Sequence, residues 1–302
     1  MHWWKMGTNA SILLINKKPG LTSFSSLNDI KRTIDPKVGH AGTLDKFARG
    51  LLVVLTGSMT RLNVLFSTMD KTYRAEIQFG METDTLDPEG QVIATAALPS
   101  FEAIQKAIPT FLGTIEQQPP QYSALHINGK RASDLARSGK EVEMAKRPIT
   151  VYSFIPISYE QGILIADIHV SKGTYIRSLA RDLGLAAGSR AHLIGLERTS
   201  IGPFSLTEAV DAKETEALVA SVSQTDERLS RVDSVSIFEI GEDELFRVAN
   251  GAFPNSCKIL RQSNNELFGA LYSTDGVLRA VADMREGRLI AQIHPYRKEI
   301  VG

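Results

Sequence analysis

The chain of 302 residues is long enough for about two domains, and 34 Lys plus Arg balance 34 Asp plus Glu to a formal net charge of zero. A hydrophobic content of 43% and a charged content of 23% are ordinary for a globular protein and exclude wholesale disorder. The single cysteine, Cys257, excludes an internal disulfide, and no apolar run is long enough for a transmembrane helix or a signal-peptide core. We therefore expect a cytoplasmic protein with no membrane partner.

The neutral total hides an uneven distribution of charge. Residues 1–75 carry eleven basic and four acidic side chains, whereas residues 208–244 carry eleven acidic and three basic ones. Basic blocks that merge on folding would attract phosphate groups, but the same pattern is also typical of ordinary solvated faces. Charge alone leaves both interpretations open.

Hydrophobic periodicity predicts the following elements in chain order: a strand at 11–16, a helix capped by Ser23 and running to about 34, a buried strand at 50–57, a helix at 59–69, strands at 72–79 and 91–98, a helix at 99–112, strands at 149–157 and 163–170, and a helix from about 174 to 184. Residues 113–148 are expected to be irregular, and 207–232 to form a helix and linker. Five short alternating segments after residue 233 predict a small β-barrel-like module. Because strands and helices do not alternate strictly, the pattern favours an α+β fold with a mixed sheet.

Two acidic or metal-like patterns have simpler explanations. Glu82, Asp84, Asp87 and Glu89 suggest a calcium loop, but their spacing does not match an EF-hand, so we predict a hairpin turn at 83–90. The six histidines are never closer than 23 residues, so no local pair predicts a metal site. Asp45 ends a loop that contains Gly39 and Gly42, and most loop aspartates only cap helices or shape turns.

Eight short motifs follow one another through the first two thirds of the chain. They are NKKPGLTS at 16–23, GHAGTLD at 39–45, KTYRA at 71–75, TDTLDPEG at 83–90, PQYSAL at 120–125, KRPITV at 146–151, SKGTYIRS at 171–178 and GSRAHLIGLER at 188–198. Together, and in this order, they closely resemble the TruB family of tRNA pseudouridine synthases. The resemblance covers residues 13 to about 204.

The resemblance implies isomerisation of uridine to pseudouridine at position 55 in the T-loop of tRNA. The bond from ribose C1′ to N1 breaks and C1′ rejoins the base at C5, so no cofactor and no metal are expected. The implied fold is the mixed-sheet catalytic domain of these synthases over residues 1–232, with a small β-rich RNA-binding domain of the PUA type over 233–302. The segment 121–150 would be the RNA-gripping thumb.

Three residues would carry the chemistry by this resemblance. Asp45 would be the catalytic carboxylate, either as a nucleophile or as a stabiliser of positive charge on the sugar. Arg177 would pair with it and keep it ionised. Tyr73 would stack on the target base and is a candidate for moving the C5 proton. Without the motifs, Arg177 reads as a surface helix residue and Tyr73 as a core residue.

The resemblance also assigns residues to substrate binding. Tyr175 and Leu196 would line the uracil pocket, and His40 would lie beside the flipped nucleotide, although a loop histidine bonded to local backbone is the simpler explanation. Lys17, from the first motif, and Lys130 and Arg131, from the thumb, would bind the RNA. The expected partner is the T-arm of tRNA, with no protein partner and a monomeric state.

One segment departs from the family pattern. The aspartate is usually followed by Pro-Leu-Ala-Thr-Gly, whereas this chain has Lys46-Phe-Ala-Arg-Gly50. Proline would restrict φ directly after the catalytic residue, and its loss leaves the rigidity of the loop open. Three other functions stay open. One is a tRNA-binding protein that assists tRNA folding, a role that the enzyme could also have beside catalysis. The others are a relative that works in a guide-RNA particle and a soluble scaffold.

Overall fold

The computed structural model describes residues 10–123, 125–127, 130–131, 144–264 and 267–293. These residues group into two compact units. The first unit draws on residues 10–44, 51–68 and 202–293, and the second on 45–50 and 69–201.

The described strands and helices follow in chain order. The strands are β1 (Ile12–Lys17), β2 (Val38–Ala41), β3 (Arg49–Thr56), β4 (Lys71–Phe79), β5 (Met81–Thr83), β6 (Val92–Thr95), β7 (Gly113–Gln117), β8 (His126–Ile127), β9 (Lys130–Arg131), β10 (Arg147–Glu160), β11 (Ile163–Val170), β12 (Ala191–Ile201), β13 (Phe204–Ser205), β14 (Val235–Ile240), β15 (Lys258–Arg261), β16 (Phe268–Ser273), β17 (Leu278–Asp283) and β18 (Arg288–Gln292). The α-helices are α1 (Asn28–Thr33), α2 (Asn63–Ser67), α3 (Phe101–Ala107), α4 (Ile176–Ala186), α5 (Thr215–Val222), α6 (Thr225–Ser230) and α7 (Glu242–Ala249).

The first unit is built around β1 and the greater part of β3. β2 runs antiparallel to β3, and Thr56 at the end of β3 donates its backbone N–H to Ser11 at 3.0 Å. Leu13 and Ile15 alternate along β1 and lie in one buried cluster with residues of α1 and α5, such as Ile30 and Leu218. Alternating apolar residues on a strand therefore meet the apolar stripes of two helices.

Within the first unit, the strands from Val235 onward form a five-stranded sheet in the order β15-β14-β16-β17-β18. This confirms the expected β-rich module. The sequence prediction missed α7, which starts with three acidic residues and buries Leu245 and Val248 in the same cluster as Phe238. Two apolar positions three residues apart are a weak helix signal in a region dominated by strand-like alternation.

The second unit contains strands in the order β12-β4-β11-β10-β7, each antiparallel to its neighbour. The first two residues of β3, Arg49 and Gly50, pair with β12 in parallel. Along β4 the residues Tyr73, Ala75, Ile77 and Phe79 are all buried, as the alternation predicts. Parallel and antiparallel pairs in one sheet, with helices in irregular order, confirm the α+β mixed-sheet prediction.

The pairing of strand β12 with β4 is interrupted at two places. The stretch from Gly195 to Arg198 pairs residue by residue with β4, and register shifts lie on either side of it, between Leu193 and Gly195 and between Arg198 and Ser200. Such irregularities bend a strand and increase its twist. The four central residues are thus set apart from the rest of the strand.

Three local predictions were wrong. Ser23 does not cap a helix: its hydroxyl donates to the carbonyl of Leu44 and accepts from its N–H, and a 3₁₀ turn at Ser25–Leu27 precedes α1. The expected helix at 59–69 is a 3₁₀ turn at Gly57–Leu62 followed by the short α2. The expected irregular segment begins with β7, because its mostly exposed residues are ordered by pairing with β10 rather than by their own pattern.

The acidic turn at 83–90 connects β5 and β6, which form an antiparallel pair, so the hairpin is confirmed. In the described parts of the chain, no helix combines the length and apolar content that crossing a bilayer would require.

Lys71 at the start of β4 makes the stability of the second unit depend on pH. Burial, with Arg198 nearby, lowers the pKa of Lys71 to about 8. The unfolded chain therefore binds more protons between pH 8 and 10.5, and the folded state should gain about 2 kcal/mol from pH 7 to 9.5. We expect urea unfolding to show this gain in the wild type and in Lys106→Met, an exposed control, but not in Lys71→Met. An equal gain in all three proteins would contradict the assignment to Lys71.

Candidate active site

The site begins at the first turn of α4, where Arg177 is buried with 5% exposure. Gly173, three residues before the helix, has φ of +79°, a conformation that glycine adopts without steric cost. Tyr175 is the N-cap residue and still has an extended backbone. This turn directs the Arg177 side chain into the interior of the second unit.

The Arg177 guanidinium holds two carboxylates at once. Its Nη2 donates to Oδ1 of Asp45 at 3.2 Å, and its Nη1 donates to Oδ2 of Asp87 at 3.0 Å. Its Nε lies 3.0 Å from Oδ2 of Asp45, but the N–H is not directed at an acceptor, so this contact is electrostatic. The carbonyls of Thr85 and Tyr122 accept from the same group at 2.9 and 3.0 Å. One cation thus joins segments that are far apart in the sequence.

The two carboxylates have different environments. Asp87 is only 8% exposed in its side chain, and its Oδ1 also accepts from the Thr85 hydroxyl at 2.6 Å and from the Glu89 N–H at 3.0 Å. The Asp45 side chain is 37% exposed. A ligand can therefore reach Asp45, whereas Asp87 is enclosed by protein groups.

Tyr73 and Leu196 lie on one face of the sheet. Leu196 on β12 is paired with Ala75, and Arg198 with Tyr73, so Leu196 is the diagonal neighbour of Tyr73. Both side chains are about nine-tenths buried. An aromatic ring and an aliphatic side chain side by side form a suitable wall for a flat apolar group.

The Tyr175 side chain is half-buried. Burial raises the pKa of its phenol above the usual value, the Ser123 hydroxyl and the charges of Arg147 and Arg177 lower it, and the Asp45 charge raises it. The phenol therefore stays protonated at neutral pH and can act as a hydrogen-bond donor.

Two ion pairs hold the segment from Lys46 to Gly50, which departs from the family pattern. Lys46 Nζ lies 3.3 Å from Oε1 of Glu89, and Arg49 Nε lies 2.8 Å from Oε1 of Glu197. Gly50 has φ of +106°, and a Cβ there would lie 2.4 Å from the carbonyl oxygen of Arg198. The backbone after Asp45 thus approaches β12 at a distance that only glycine allows.

The remaining predicted residues lie elsewhere. Lys17 and His40 belong to the first unit: Lys17 ends β1, almost fully buried, with Nζ 3.2 Å from the carbonyl of Lys18, and His40 is half-buried on β2 opposite Val54. Lys130 and Arg131 form β9, which pairs with β8, and their side chains lie outside the described residues. So does 132–143, the middle of the expected thumb.

Sequence reasoning missed the role of Asp87. The spacing of its turn predicts a hairpin, and the hydrogen bonds from Thr85 and Glu89 to its carboxylate serve that hairpin. The second function, binding Arg177, joins residues 90 positions apart and leaves no local signal. Among the described side chains, no group of three or more His, Cys, Asp or Glu residues is placed to hold a metal ion.

Residues 30–176 match the family model of the TruB family pseudouridylate synthase N-terminal domain, and residues 177–235 match that of the tRNA pseudouridylate synthase B C-terminal domain. The chain is similar to tRNA pseudouridine synthase B of Borreliella burgdorferi strain ZS7, at 40% identity over 86% of this chain and 93% of that protein. It is also similar to tRNA pseudouridine synthase B of Treponema denticola, at 48% identity over 66% of this chain and 61% of that protein.

Solved structures are similar in fold. A Cbf5-Nop10-Gar1 complex matches over 97% of this chain and 86% of the other, with a TM-score of 0.66 and 23% identity. An H/ACA RNP bound to a substrate RNA containing 2′-deoxyuridine matches over 98% and 88%, with a TM-score of 0.67 and 19% identity. Given a relative at 40% identity over 86% of this chain and the match to the family model, the chain belongs to the TruB family of pseudouridylate synthases.

Proposed function

We propose that this protein isomerises uridine to pseudouridine at position 55 in the T-loop of tRNA. The observation that carries the proposal is the partly exposed Asp45 carboxylate held by the buried guanidinium of Arg177. Membership of the TruB family, and relatives named tRNA pseudouridine synthase B, support this reaction and tRNA as the substrate.

The reaction needs an ionised carboxylate at the sugar and a site that holds the base. The bond between C1′ and N1 breaks and a bond between C1′ and C5 forms, while the C5 proton is lost and N1 gains one. Asp45 would attack C1′ or stabilise its positive charge, and Arg177 would pair with the carboxylate and orient it. The atoms balance within the uridine, so the reaction draws on no redox cofactor.

The base would occupy a pocket with Tyr73 and Leu196 on its sheet face. Tyr73 would stack on the extruded uracil, and it remains our candidate for moving the C5 proton. The protonated Tyr175 phenol would donate to the base or to Asp45. Taking a base out of its stack costs a few kcal/mol, which a replacement stack offsets in part.

RNA binding would involve residues from several of the motifs. We assign Lys130 and Arg131 to phosphate contacts with the T-arm, and His40 to the position beside the flipped nucleotide. The almost fully buried side chain of Lys17 cannot reach a phosphate in this conformation, so its predicted part in RNA binding would need a local rearrangement. Residues 1–232 would act as the catalytic domain, with 121–150 as its thumb, and 233–302 as a PUA-like RNA-binding domain. We further propose that the protein acts as a monomer in the cytoplasm.

Asp45→Asn should abolish turnover and leave tRNA affinity within a few-fold, because the amide cannot supply the negative charge. Single-nucleotide pseudouridine mapping on unmodified tRNA transcripts should show conversion at position 55 with the wild type and a loss of more than about 100-fold with the variant. Asp167→Asn is the matched control: Asp167 has a similarly exposed side chain, at 36%, and also pairs with an arginine, Arg74.

A transcript with cytidine at position 55 should give no conversion. Conversion at other uridines, or equal loss of affinity and turnover in folded Asp45→Asn, would contradict the assignment. Tight tRNA binding without conversion by the wild type would instead favour a tRNA-binding role.

Lys130→Ala combined with Arg131→Ala should weaken tRNA binding and reduce its dependence on salt. Each lost phosphate contact lowers the slope of log affinity against log salt by about 0.7 to 0.9, so the double variant should lose about 1.5. Filter binding between 50 and 300 mM salt measures the slope, with Lys106→Ala as a surface control. An unchanged slope would remove both side chains from the phosphate interface.

The Lys46–Glu89 ion pair should support catalysis by holding the segment after Asp45. Lys46→Glu and Glu89→Lys should each lower the single-turnover rate about fivefold, the upper range for an exposed pair, and the double exchange should restore it to within about twofold. The same exchange at Lys106 and Glu102, an exposed pair at 2.7 Å, should leave the rate unchanged. If Lys46→Glu lowers tRNA affinity and the double exchange does not restore it, Lys46 is an RNA contact instead.

A further inference from the structure

The side chain of Gln117, the last residue of β7, is almost fully buried at 1% exposure. Its Nε2 donates to the carbonyl of Tyr175 at 3.1 Å, and its Oε1 accepts from the Tyr175 N–H at 2.9 Å. Both halves of the amide are therefore bonded to the backbone of one residue. The Gln117 amide thus donates one hydrogen bond to the Tyr175 backbone and accepts one from it, as a neighbouring β-strand would.

Tyr175 is where the backbone changes from the extended turn to the helix that carries Arg177. It has φ of −100° and ψ of 109° at the N-cap, and its side chain makes no capping hydrogen bond. Its carbonyl also accepts the first helical bond, from Leu179 at 3.1 Å. The two lone pairs of this carbonyl are thus shared between the helix and Gln117, which sets the orientation of the first helical peptide.

Arg177 follows two residues later in the same helical turn, so a rotation of this peptide would also displace the Arg177 side chain. Its guanidinium must meet Asp45 and Asp87 together, so a small rotation of the helix start would break one of the two contacts.

We propose that Gln117 is a positioning residue for pseudouridine formation, which acts through the Tyr175 backbone to hold the Arg177 guanidinium against Asp45 and Asp87. This inference rests on the proposed function. A purely structural buried amide would lower stability when replaced, without changing the turnover of protein that remains folded.

Two variants and one control separate these roles. Gln117→Met keeps the length of the side chain and removes both hydrogen bonds. Gln117→Glu keeps the acceptor, but as a carboxylate it places a charge against the Tyr175 carbonyl; when protonated, its O–H donates there and restores both bonds. Gln118→Glu makes the same change at the adjacent, exposed residue.

The measurement is the single-turnover rate of pseudouridine formation at saturating tRNA, from pH 6 to pH 8, together with tRNA affinity and far-UV circular dichroism. We expect Gln117→Met to be at least tenfold slower at every pH, with affinity within twofold. Burial raises the pKa of the introduced glutamate, so Gln117→Glu should recover at least fivefold relative to the wild type as the pH falls from 8 to 6. Gln118→Glu should follow the wild type throughout.

Hydrogen exchange gives a readout that does not need activity. The Tyr175 amide should exchange at least tenfold faster in Gln117→Met than in the wild type. Wild-type turnover in Gln117→Met, or in Gln117→Glu at pH 8, would overturn the proposal. So would an affinity loss equal to the rate loss, or a Gln117→Glu protein that recovers only by refolding at low pH. If the wild type converts no uridine, the proposed function fails, and an unchanged Tyr175 exchange rate would then separately overturn the Gln117 contact.

Discussion

The second unit depends on a buried guanidinium that is shared by two carboxylates. A cation at the position of Arg177 would be too costly to bury alone, and breaking a buried pair costs about 3–5 kcal/mol because it leaves a charge without a partner. Asp45 and Asp87 come from segments 132 and 90 residues away, and the carbonyl of Tyr122 from a third. The charge requirement of one side chain therefore brings three distant stretches of chain to the start of one helix.

The two partners of Arg177 are unequally exposed, which in the proposed mechanism would let one arginine serve both folding and chemistry. Asp87 is enclosed, and its remaining oxygen is satisfied by its own hairpin, so it contributes a fixed negative charge. Asp45 keeps an accessible side and is fixed in place before any substrate arrives. A preorganised carboxylate costs little reorganisation during reaction, which is the main advantage of a protein site over water.

A feature could be predicted from the sequence where the interactions that form it are local, but not where they join residues far apart in the chain. The strand β4 and the strands after residue 233 were predicted because a period of two is visible within a few residues, and the buried β3 because its apolar run is continuous. Ser23 was assigned to a local cap, whereas its hydroxyl bonds to Leu44, 21 residues away. The pairing of Arg177 with Asp45 was expected only through the motif resemblance, and no pattern near Lys46 or Arg49 indicated Glu89 or Glu197 as partners. The roles of Tyr73, His40 and the basic residues in RNA binding stay predictions.

The two irregularities in β12 have a consequence for how this protein can vary. A one-residue insertion or deletion in a regular strand moves every following side chain to the opposite face of the sheet. Here the stretch from Gly195 to Arg198 is bracketed by positions where the pairing already shifts. An insertion or deletion beyond either register shift can be accommodated at that shift. The ends of β12 can therefore change in length while Leu196 stays on the same face of the sheet.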